Sequence, residues 1–431
     1  MMKIIVSHAY SKENKGDAAL LSVLLSDIRR AFKDPHVTVL TLDNVKKNEI
    51  FEGVPVKNTF MYYARAHYKN PLLQATYATF VATSTLAWAC LYRCTGKNLP
   101  LPKYLQEIVF LYRDADLIVP VGGGYILSKS GFINTIRLFF VLHPLLIGYI
   151  LGKPTINYTQ SIGYFGSKFQ EAIAKFVIKR LTGVIVRENN SFELLRSWGM
   201  GDNVFLSTDS GFSFESDVIK DLREEFGISK ERMTVGITVR SWFHPKQQAD
   251  YEKAIASFAD HIIRKYHAVV LFIPQVTNEN HRDDDRESSQ KAYAYMEEGQ
   301  DARVLTERYS HQTIKPIYGN LDYLVGTRFH SVIFALTSYV PSIAIGYEPK
   351  TLGIMQRLGL DRWVLDITKI DVDQLNELFD RLVLGRDSYL KHLREVLPQY
   401  VLQSQNSIFI VKKCYEEYIR NDKNHISRLS Q

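Results

Sequence analysis

The side chains best suited to chemistry follow an apolar stretch in the last third of the chain. In LVGTRFHSVIFAL, residues 324–336, a predicted strand ends in Gly-Thr and a helix opens with Arg328 and His330. A helix N-terminus presents unpaired N–H groups and the positive end of a dipole, so with Arg328 it favours a bound phosphate or carboxylate. The alternative is an arginine exposed at a surface turn with the histidine packed beneath it.

Three more cations follow apolar strands. Lys350 comes after PSIAIG and would complete a cluster around the same anion, or it is an ordinary solvated lysine. Arg187 ends GVIVR and Arg240 ends TVGITVR. The fork of an arginine matches planar carboxylates and phosphate oxygens, although either side chain could instead pair within its own loop.

Two glycine-containing segments are candidates for close ligand approach. Asn14, Gly16 and Asp17 join the first strand to the first helix, where Asp17 would act as a base toward a sugar hydroxyl or simply cap the helix. Gly123 and Gly124 follow the strand LIVPV, and we expect a loop there.

Other binding chemistries find little support. The glycine run lacks the dinucleotide-binding spacing, because residue 127 is Leu. The run HRDDDRES, with His281 and residues 283–285, favours a solvated helix start over a metal site. No basic stripe interleaved with aromatic residues indicates nucleic-acid binding.

Composition indicates a globular chain of two domains. It has 431 residues, 46% hydrophobic and 23% charged, and its net charge of +7 suits an anionic ligand, a nucleic acid or an acidic membrane surface without choosing between them. Three cysteines, Cys90, Cys94 and Cys414, support neither a disulfide framework nor a four-ligand zinc site. With no secretory signal recognised at the N-terminus, we expect a cytoplasmic protein.

Two apolar segments bear on membrane association. Residues 72–92 carry no charge and are about as long as a bilayer-spanning helix, although threonines and serines dilute them. This segment is compatible with a buried helix, with an interfacial or partner-facing helix, or with a membrane-spanning helix. Residues 132–151 contain Arg137, His143 and Pro144 and are better explained as a core helix.

The order of predicted elements indicates an α/β fold with two doubly wound Rossmann-like domains facing a cleft. Strands and helices alternate in the first half, and the alternation restarts after residue 231, which is typical of parallel sheets covered on both faces. We predict an N-terminal domain over 1–210 and a second over 231–385. Helices over 386–431 would pack back on the first domain. Ligands of such sheets bind outside the carboxyl ends of the strands.

Taken together, these segments resemble the polysaccharide pyruvyltransferases, which form pyruvate ketals on bacterial exopolysaccharide, capsule and cell-wall polymers. The resemblance runs from NKGDAAL through VGGGYIL, VIVRENNSFELLRSWG and TVGITVRSW to VGTRFHSVIFAL and PSIAIGYEPK. Its specific part is the arginine-apolar-histidine unit before a helix, followed by the Tyr-acid-Pro-Lys run. Glu188, where the family often has Asp, and Phe329, where Leu is common, are mild departures.

The resemblance implies a glycosyltransferase-B-like architecture, no metal or other cofactor, phosphoenolpyruvate as donor, and a lipid-linked saccharide as acceptor. It implies peripheral association with the cytoplasmic membrane face. Arg187, His330 and Lys350, with Arg328 alongside, would bind or activate the donor, and the C-terminal domain would be the donor side. The loop around Asn14 and Asp17 would face the acceptor on the N-terminal domain.

These assignments lead to a mechanistic hypothesis. The cations neutralise the donor, and His330 acts near its reacting carbons as an acid or as a phosphate ligand. A nucleotide-sugar glycosyltransferase of the same fold, or a non-catalytic glycan-binding scaffold in envelope assembly, is the alternative.

Overall fold

The computed structural model describes residues 1–66, 70–218, 221–278 and 283–429 and divides into two compact units. Unit 1 comprises Met1–Ser11, Leu20–Ser210 and Gln403–Gln431. Unit 2 comprises Lys12–Ala19 and Gly211–Leu402. The short segment Lys12–Ala19 therefore belongs with the C-terminal half of the chain, although it is flanked on both sides by unit 1.

Unit 1 is built on parallel sheets. Its strands are β1 (Lys3–Ala9), β2 (His36–Thr41), β3 (Ile50–Phe51), β4 (Val54–Asn58), β5 (Leu117–Pro120), β6 (Gly123–Ser128), β7 (Ile156–Phe165), β8 (Gly183–Val186) and β9 (Val204–Leu206). They form a sheet of order β3-β4-β2-β1-β5 and a second of order β6-β7-β8-β9, with a parallel bridge from Ile118 to Thr155 between them. All pairs are parallel except β3 with β4.

Helices cover these sheets. They are α1 (Lys15–Ala31), α2 (Phe60–Ala66), α3 (Pro71–Thr95), α4 (Lys103–Asp114), α5 (Phe132–Ile150), α6 (Lys168–Ile178) and α7 (Asn189–Ser197). Strands such as β5 and β8 are buried at every position, which explains their uninterrupted apolar sequences. This burial of both sheet faces is the main source of hydrophobic stabilisation in unit 1.

Unit 2 has one six-stranded parallel sheet of order β14-β11-β10-β15-β16-β17. Its strands are β10 (Thr234–Thr238), β11 (Val269–Phe272), β14 (Ala302–Val304), β15 (Tyr323–Gly326), β16 (Ser342–Gly346) and β17 (Val364–Asp366); β12 (Thr277–Asn278) and β13 (Asp283–Asp284) form a separate antiparallel pair. Its helices are α8 (Leu222–Phe226), α9 (Pro245–Tyr266), α10 (Asp285–Ala294), α11 (His311–Gly319), α12 (Phe329–Thr337), α13 (Pro349–Arg357) and α14 (Val372–Leu384). The last helix, α15 (Arg386–Leu429), contributes its first part to unit 2 and the rest to unit 1. The predicted α/β class with parallel sheets is confirmed.

The uncharged segment 72–92 lies within α3, which packs by one face. Val81, Thr85, Trp88 and Ala89 of that face are buried, and the Thr85 hydroxyl lies 3.0 Å from His143 Nε2 of α5. Of the described helices, α5 alone is long and apolar enough to cross a membrane, and 44% of its most apolar window is buried inside the protein. Part of α5 is thus a core helix, as predicted.

His8, at the end of β1, gives unit 1 a testable dependence on pH. Its ring stacks on Tyr125 with 5.0 Å between centroids, and Nε2 must donate to the Val141 carbonyl at 2.7 Å. Burial lowers the pKa of His8 from 6.5 to about 4, since it disfavours the charged imidazolium. The unfolded chain therefore binds the proton first, and stability that is complete above pH 6.5 is lost as the pH falls toward 4.

We expect His8→Gln to reduce the fall in unfolding free energy between pH 7 and pH 5 by roughly 2 kcal/mol, measured by urea denaturation. The matched control is His36→Gln, which makes the same substitution at an exposed histidine at the start of β2. Identical pH profiles for wild type and His8→Gln would contradict the assignment.

Candidate functional site

The carboxyl ends of three neighbouring strands in unit 2 carry most of the predicted site residues. Strand β15 lies between β10 and β16, and all three run parallel. Arg240 follows β10, Arg328 and His330 follow β15, and Lys350 follows β16. The topology therefore brings these four side chains to one edge of one sheet, where ligands of such sheets bind.

A hydroxyl group on β10 shapes the turn after β15. Thr238 Oγ1 accepts hydrogen bonds from the backbone N–H groups of Thr327, at 2.8 Å, and Arg328, at 3.2 Å. Gly326 allows close packing here, since a Cβ atom would lie 2.6 Å from a methyl group of Val332. Helix α12 then begins at Phe329, and its N-cap residue, Arg328, makes no side-chain capping hydrogen bond.

Arg328 is not exposed at a surface turn but buried in an ion pair. Its guanidinium donates to the fully buried carboxylate of Asp285, with Nη2 2.7 Å from Oδ1 and Nε 3.1 Å from both oxygens. Asp285 Oδ2 also accepts from the backbone N–H groups of Gln275, at 3.1 Å, and Val276, at 2.9 Å. One carboxylate therefore neutralises Arg328 and fixes the turn after β11.

The prediction of a solvated helix start for the acidic run was wrong at Asp285. Asp284 does cap α10, accepting from the backbone N–H of Arg286 at 3.0 Å. Asp285, the next residue, is 0% exposed. Sequence alone missed its role because its partner is 43 residues away. His281 lies outside the described residues, and within the described ranges no group of three His, Cys, Asp or Glu residues could hold a metal ion.

The segment Lys12–Ala19 joins unit 2 through backbone pairing. Asn14 forms an antiparallel bridge with Val276, the Lys15 N–H donates to the Gln275 carbonyl at 3.2 Å, and the Thr277 N–H donates to the Glu13 carbonyl at 3.0 Å. These bonds attach the start of α1 to the strand end that Asp285 also fixes. They explain why Gly16 and Asp17 belong with His330 in one unit.

Lys15 is a second residue that sequence analysis missed. Its ammonium group is buried, 3.0 Å from Thr277 Oγ1 and 3.3 Å from Glu13 Oε2. Burial lowers the pKa of Lys15, and the negative charge of Glu13 offsets part of that shift. No local signal distinguishes Lys15 from a solvated lysine, since both partners depend on the pairing with residues 275–277.

The cap of α1 is Asn14 and not Asp17. Asn14 Oδ1 accepts from the N–H groups of Gly16, at 3.1 Å, and Asp17, at 3.4 Å. The capping interpretation of Asp17 was therefore wrong. Asp17 lies in the first turn of the helix, where a carboxylate is favoured by the dipole.

Gly16 packs directly against the imidazole of His330. A Cβ atom built on Gly16 would lie 2.7 Å from His330 Cβ and closer still to the ring. Such separations are far inside van der Waals contact, so only glycine allows His330 this position. The structure thus brings together two predicted site residues that are 314 positions apart in sequence.

Arg240 lies among aromatic rings. Its guanidinium carbon is 4.2 Å from the ring centroid of Tyr347 and 4.9 Å from that of Trp242. Tyr347 follows β16, so the contact spans the end of β15. Among the residues that the structure describes, no carboxylate forms an ion pair with Arg240. Cation–π contacts orient a guanidinium but do not neutralise it, so its positive charge remains available to an anion.

Lys350 has a neighbouring carboxylate. Its ammonium group is 2.6 Å from Glu348 Oε2, and both side chains are 19% exposed. The Tyr-acid-Pro-Lys run therefore contains its own ion pair. The charge of Lys350 is therefore partly balanced before any anion binds.

Arg187 belongs to unit 1, whereas the other predicted cations belong to unit 2. It is buried and ion-paired with Asp209, which is also buried, and its Nε donates to Ser161 Oγ at 2.8 Å. Glu188, the departure from the family pattern, caps α7 by accepting from the Ser191 N–H at 2.9 Å. The arginine thus fixes the end of β8.

The glycine run after β5 is not a loop throughout, contrary to our prediction. Gly123 and Gly124 begin β6, and Gly123 pairs with Gln160 of β7. A Cβ atom at residue 122 would lie 2.6 Å from Thr159 Oγ1, so this approach of backbone to side chain requires glycine.

Comparison with known proteins places this arrangement in a family. Residues 14–349 match the family described as polysaccharide pyruvyl transferase. The chain belongs to the polysaccharide pyruvyl transferase family, as its motifs predict. This assignment supports a polysaccharide-modifying role. A curated relative, the amylovoran biosynthesis protein AmsJ of Erwinia amylovora, is 22% identical over 392 residues, covering 86% of this chain and 89% of the relative.

Solved structures show the same fold at low identity. The UDP-N-acetylglucosamine 2-epimerase of Neisseria meningitidis aligns with a TM-score of 0.55 at 10% identity, over 96% of this chain and 100% of that one. HepE of Anabaena, solved with UDP-glucose, aligns with a TM-score of 0.56 at 13% identity, over 97% and 99%. These likenesses confirm the glycosyltransferase-B-like fold class.

The contact between Gly16 and His330 predicts a strong effect from one methyl group. Gly16→Ala should displace the imidazole and lower the pyruvyl transfer rate at least about tenfold, a loss of ~1.4 kcal/mol in transition-state stabilisation. The clash also lowers stability, and the helix propensity of alanine, worth at most about 1 kcal/mol, offsets that loss only in part, so turnover is measured at a temperature at which the variant remains folded. Gly299→Ala, where the nearest atom would be 3.5 Å from the added Cβ, is the control. Wild-type turnover in Gly16→Ala would contradict the prediction.

The buried pair predicts a large loss of stability. Asp285→Asn leaves the Arg328 charge buried without its counter-ion and should cost about 3–5 kcal/mol of unfolding free energy. Asp301→Asn breaks a partly exposed pair with Arg232 and should cost about 1 kcal/mol or less. Guanidinium denaturation of both variants checks this. Similar losses would show that burial does not control the strength of the first pair.

Proposed function

We propose that this protein transfers the pyruvyl group of phosphoenolpyruvate to two hydroxyl groups of a sugar in a polysaccharide precursor, forming a cyclic ketal and releasing phosphate. The observation that carries the proposal is the unneutralised charge of Arg240 at the strand edge that also holds His330. Family membership supports the same reaction class.

The cations at the strand ends of unit 2 differ in whether each already has an ion-pair partner. Arg328 is balanced by Asp285 and Lys350 by Glu348, whereas Arg240 has no ion-pair partner among the described residues. We assign Arg240 to direct contact with the donor phosphate or carboxylate, where a forked guanidinium binds well. Lys350 joins by exchanging Glu348 for the donor. Arg328 positions the first turn of α12, which supplies N–H donors.

His330 is assigned to proton transfer. The methylene carbon of the donor accepts a proton and becomes the methyl group, which leaves an oxocarbenium-like centre at the neighbouring carbon. One sugar hydroxyl adds there, the bond from that carbon to the phosphate-bearing oxygen breaks, and a second hydroxyl closes the ring. Of the two hydroxyl protons, one balances the proton on carbon and the other leaves with phosphate. A histidine can hold and release a proton near neutral pH.

The acceptor is proposed to be a lipid-linked saccharide at the cytoplasmic membrane face. Asp17, in the first turn of α1 beside Gly16, is assigned to one acceptor hydroxyl as a base, and Asn14 holds that turn in place. Direct donor contact by Arg187, and ligand approach at Gly123 and Gly124, stay predictions. Arg187 would have to release Asp209 to bind a donor.

The test is a transfer assay with phosphoenolpyruvate and lipid-linked saccharides, followed by mass spectrometry for an added pyruvyl group and by phosphate release. Arg240→Gln should raise the KM for phosphoenolpyruvate about 10- to 100-fold, because a charged hydrogen bond contributes roughly 1.5–3 kcal/mol. His330→Gln should instead lower kcat, with donor affinity by calorimetry largely kept.

Arg264→Gln serves as the matched control. Arg264 lies in unit 2 on an exposed face, paired with Glu297 and Glu298, and its loss should change neither constant. An unchanged KM in Arg240→Gln would remove that residue from the donor site. Turnover of a nucleotide sugar without use of phosphoenolpyruvate would replace the proposal with a glycosyltransferase. Glycan binding without phosphate release would indicate a scaffold.

A further inference from the structure

Helices α5 and α6 of unit 1 begin side by side and expose large apolar side chains there. The Gln170 side-chain amide, in α6, donates to the Lys129 carbonyl at 3.0 Å and to Thr135 Oγ1 of α5 at 2.9 Å. On these adjoining first turns, Phe132 is 80% exposed and Phe169 is 66% exposed. Single exposed apolar residues are ordinary, but two phenylalanines on adjacent turns form a patch.

A groove lies further along the same two helices. It has a volume of about 370 Å³ and is lined by apolar side chains that include Phe139, Leu146, Ile173 and Phe176. The Phe176 ring is half exposed, and the Arg180 guanidinium lies 3.5 Å from its centroid and 5.5 Å from that of Tyr149. An apolar strip edged by an arginine over aromatic rings is typical of surfaces that meet lipid headgroups.

Charge is concentrated in the same part of the chain. Residues 129–180 contain seven Lys or Arg residues and one acid, a net charge of +6 against +7 for the whole protein. The acid, Glu171, accepts a hydrogen bond from the Trp198 indole at 2.8 Å. Six of the cations flank or lie on α5 and α6: Lys129, Arg137, Lys168, Lys175, Lys179 and Arg180. Such a surface is complementary to an anionic leaflet.

We propose that this α5/α6 face docks on an anionic lipid bilayer, with Phe132, Ile133 and Phe169 inserted at headgroup depth and the surrounding cations on lipid phosphates. Helix α5 lies on the membrane and does not cross it, because its Leu138 and Leu145 side chains are buried in the protein core. The proposal is independent of the donor and of the transfer reaction.

The experiment is cosedimentation of the full-length protein with vesicles of phosphatidylcholine alone or with phosphatidylglycerol added, at low and high salt. Binding should require the anionic lipid and weaken with salt, since a surface cation strengthens binding about fivefold. The variants F132S/F169S and K168E/K179E should each reduce partitioning at least about tenfold. Thermal unfolding should be unchanged, because all four side chains are exposed.

The matched control is L384S/K369E on unit 2, which removes an exposed leucine and reverses an exposed lysine, and it should bind like wild type. Absence of binding, or equal binding by all variants, would overturn the proposal. So would a dimer in light scattering that F132S/F169S dissociates while vesicle binding is absent, since the face would then join two copies. Transfer to a detergent-solubilised acceptor should persist in the docking variants, which separates this proposal from the proposed function.

Discussion

The buried carboxylate of Asp285 is the interaction on which the unit 2 site depends. It neutralises Arg328 at the start of α12 and accepts from the backbone N–H groups of Gln275 and Val276 after β11. Those two residues in turn pair with Lys15 and Asn14. A single group thus links the histidine-bearing helix to the segment that presses Gly16 against His330.

A buried ion pair of this kind contributes more to geometry than to net stability, because desolvation of both charges offsets much of their attraction. As a result, the cations of the site differ in how freely each can bind an anionic ligand. The arginine that the motif emphasises is already balanced, whereas Arg240 is held by aromatic rings, which orient it without cancelling its charge. Arg328 therefore holds the structure of the site in place, whereas Arg240 can bind a ligand directly.

Sequence predicted the fold well because parallel strands buried on both faces leave uninterrupted apolar runs. It also found the strand ends that carry Arg240, Arg328, His330 and Lys350, since their motifs are local. What it missed depends on long-range pairing. Asp285 appears as one acid in a polar run, and its burial follows only once β11 and β15 lie in the same sheet. Sequence analysis missed the buried role of Lys15 for the same reason. The glycines after β5 misled because a glycine run is typical of a loop, and the strand that they begin pairs irregularly with β7.

The interleaving of the two units along the chain bears on how members of this family can diverge. Unit 1 is assembled from three separate stretches, and Lys12–Ala19 travels with unit 2. A recombination event with one crossover near residue 210 would therefore combine a histidine from one parent with the glycine that faces it from another. A chimera joined there keeps the contact only where both parents build it with the same geometry.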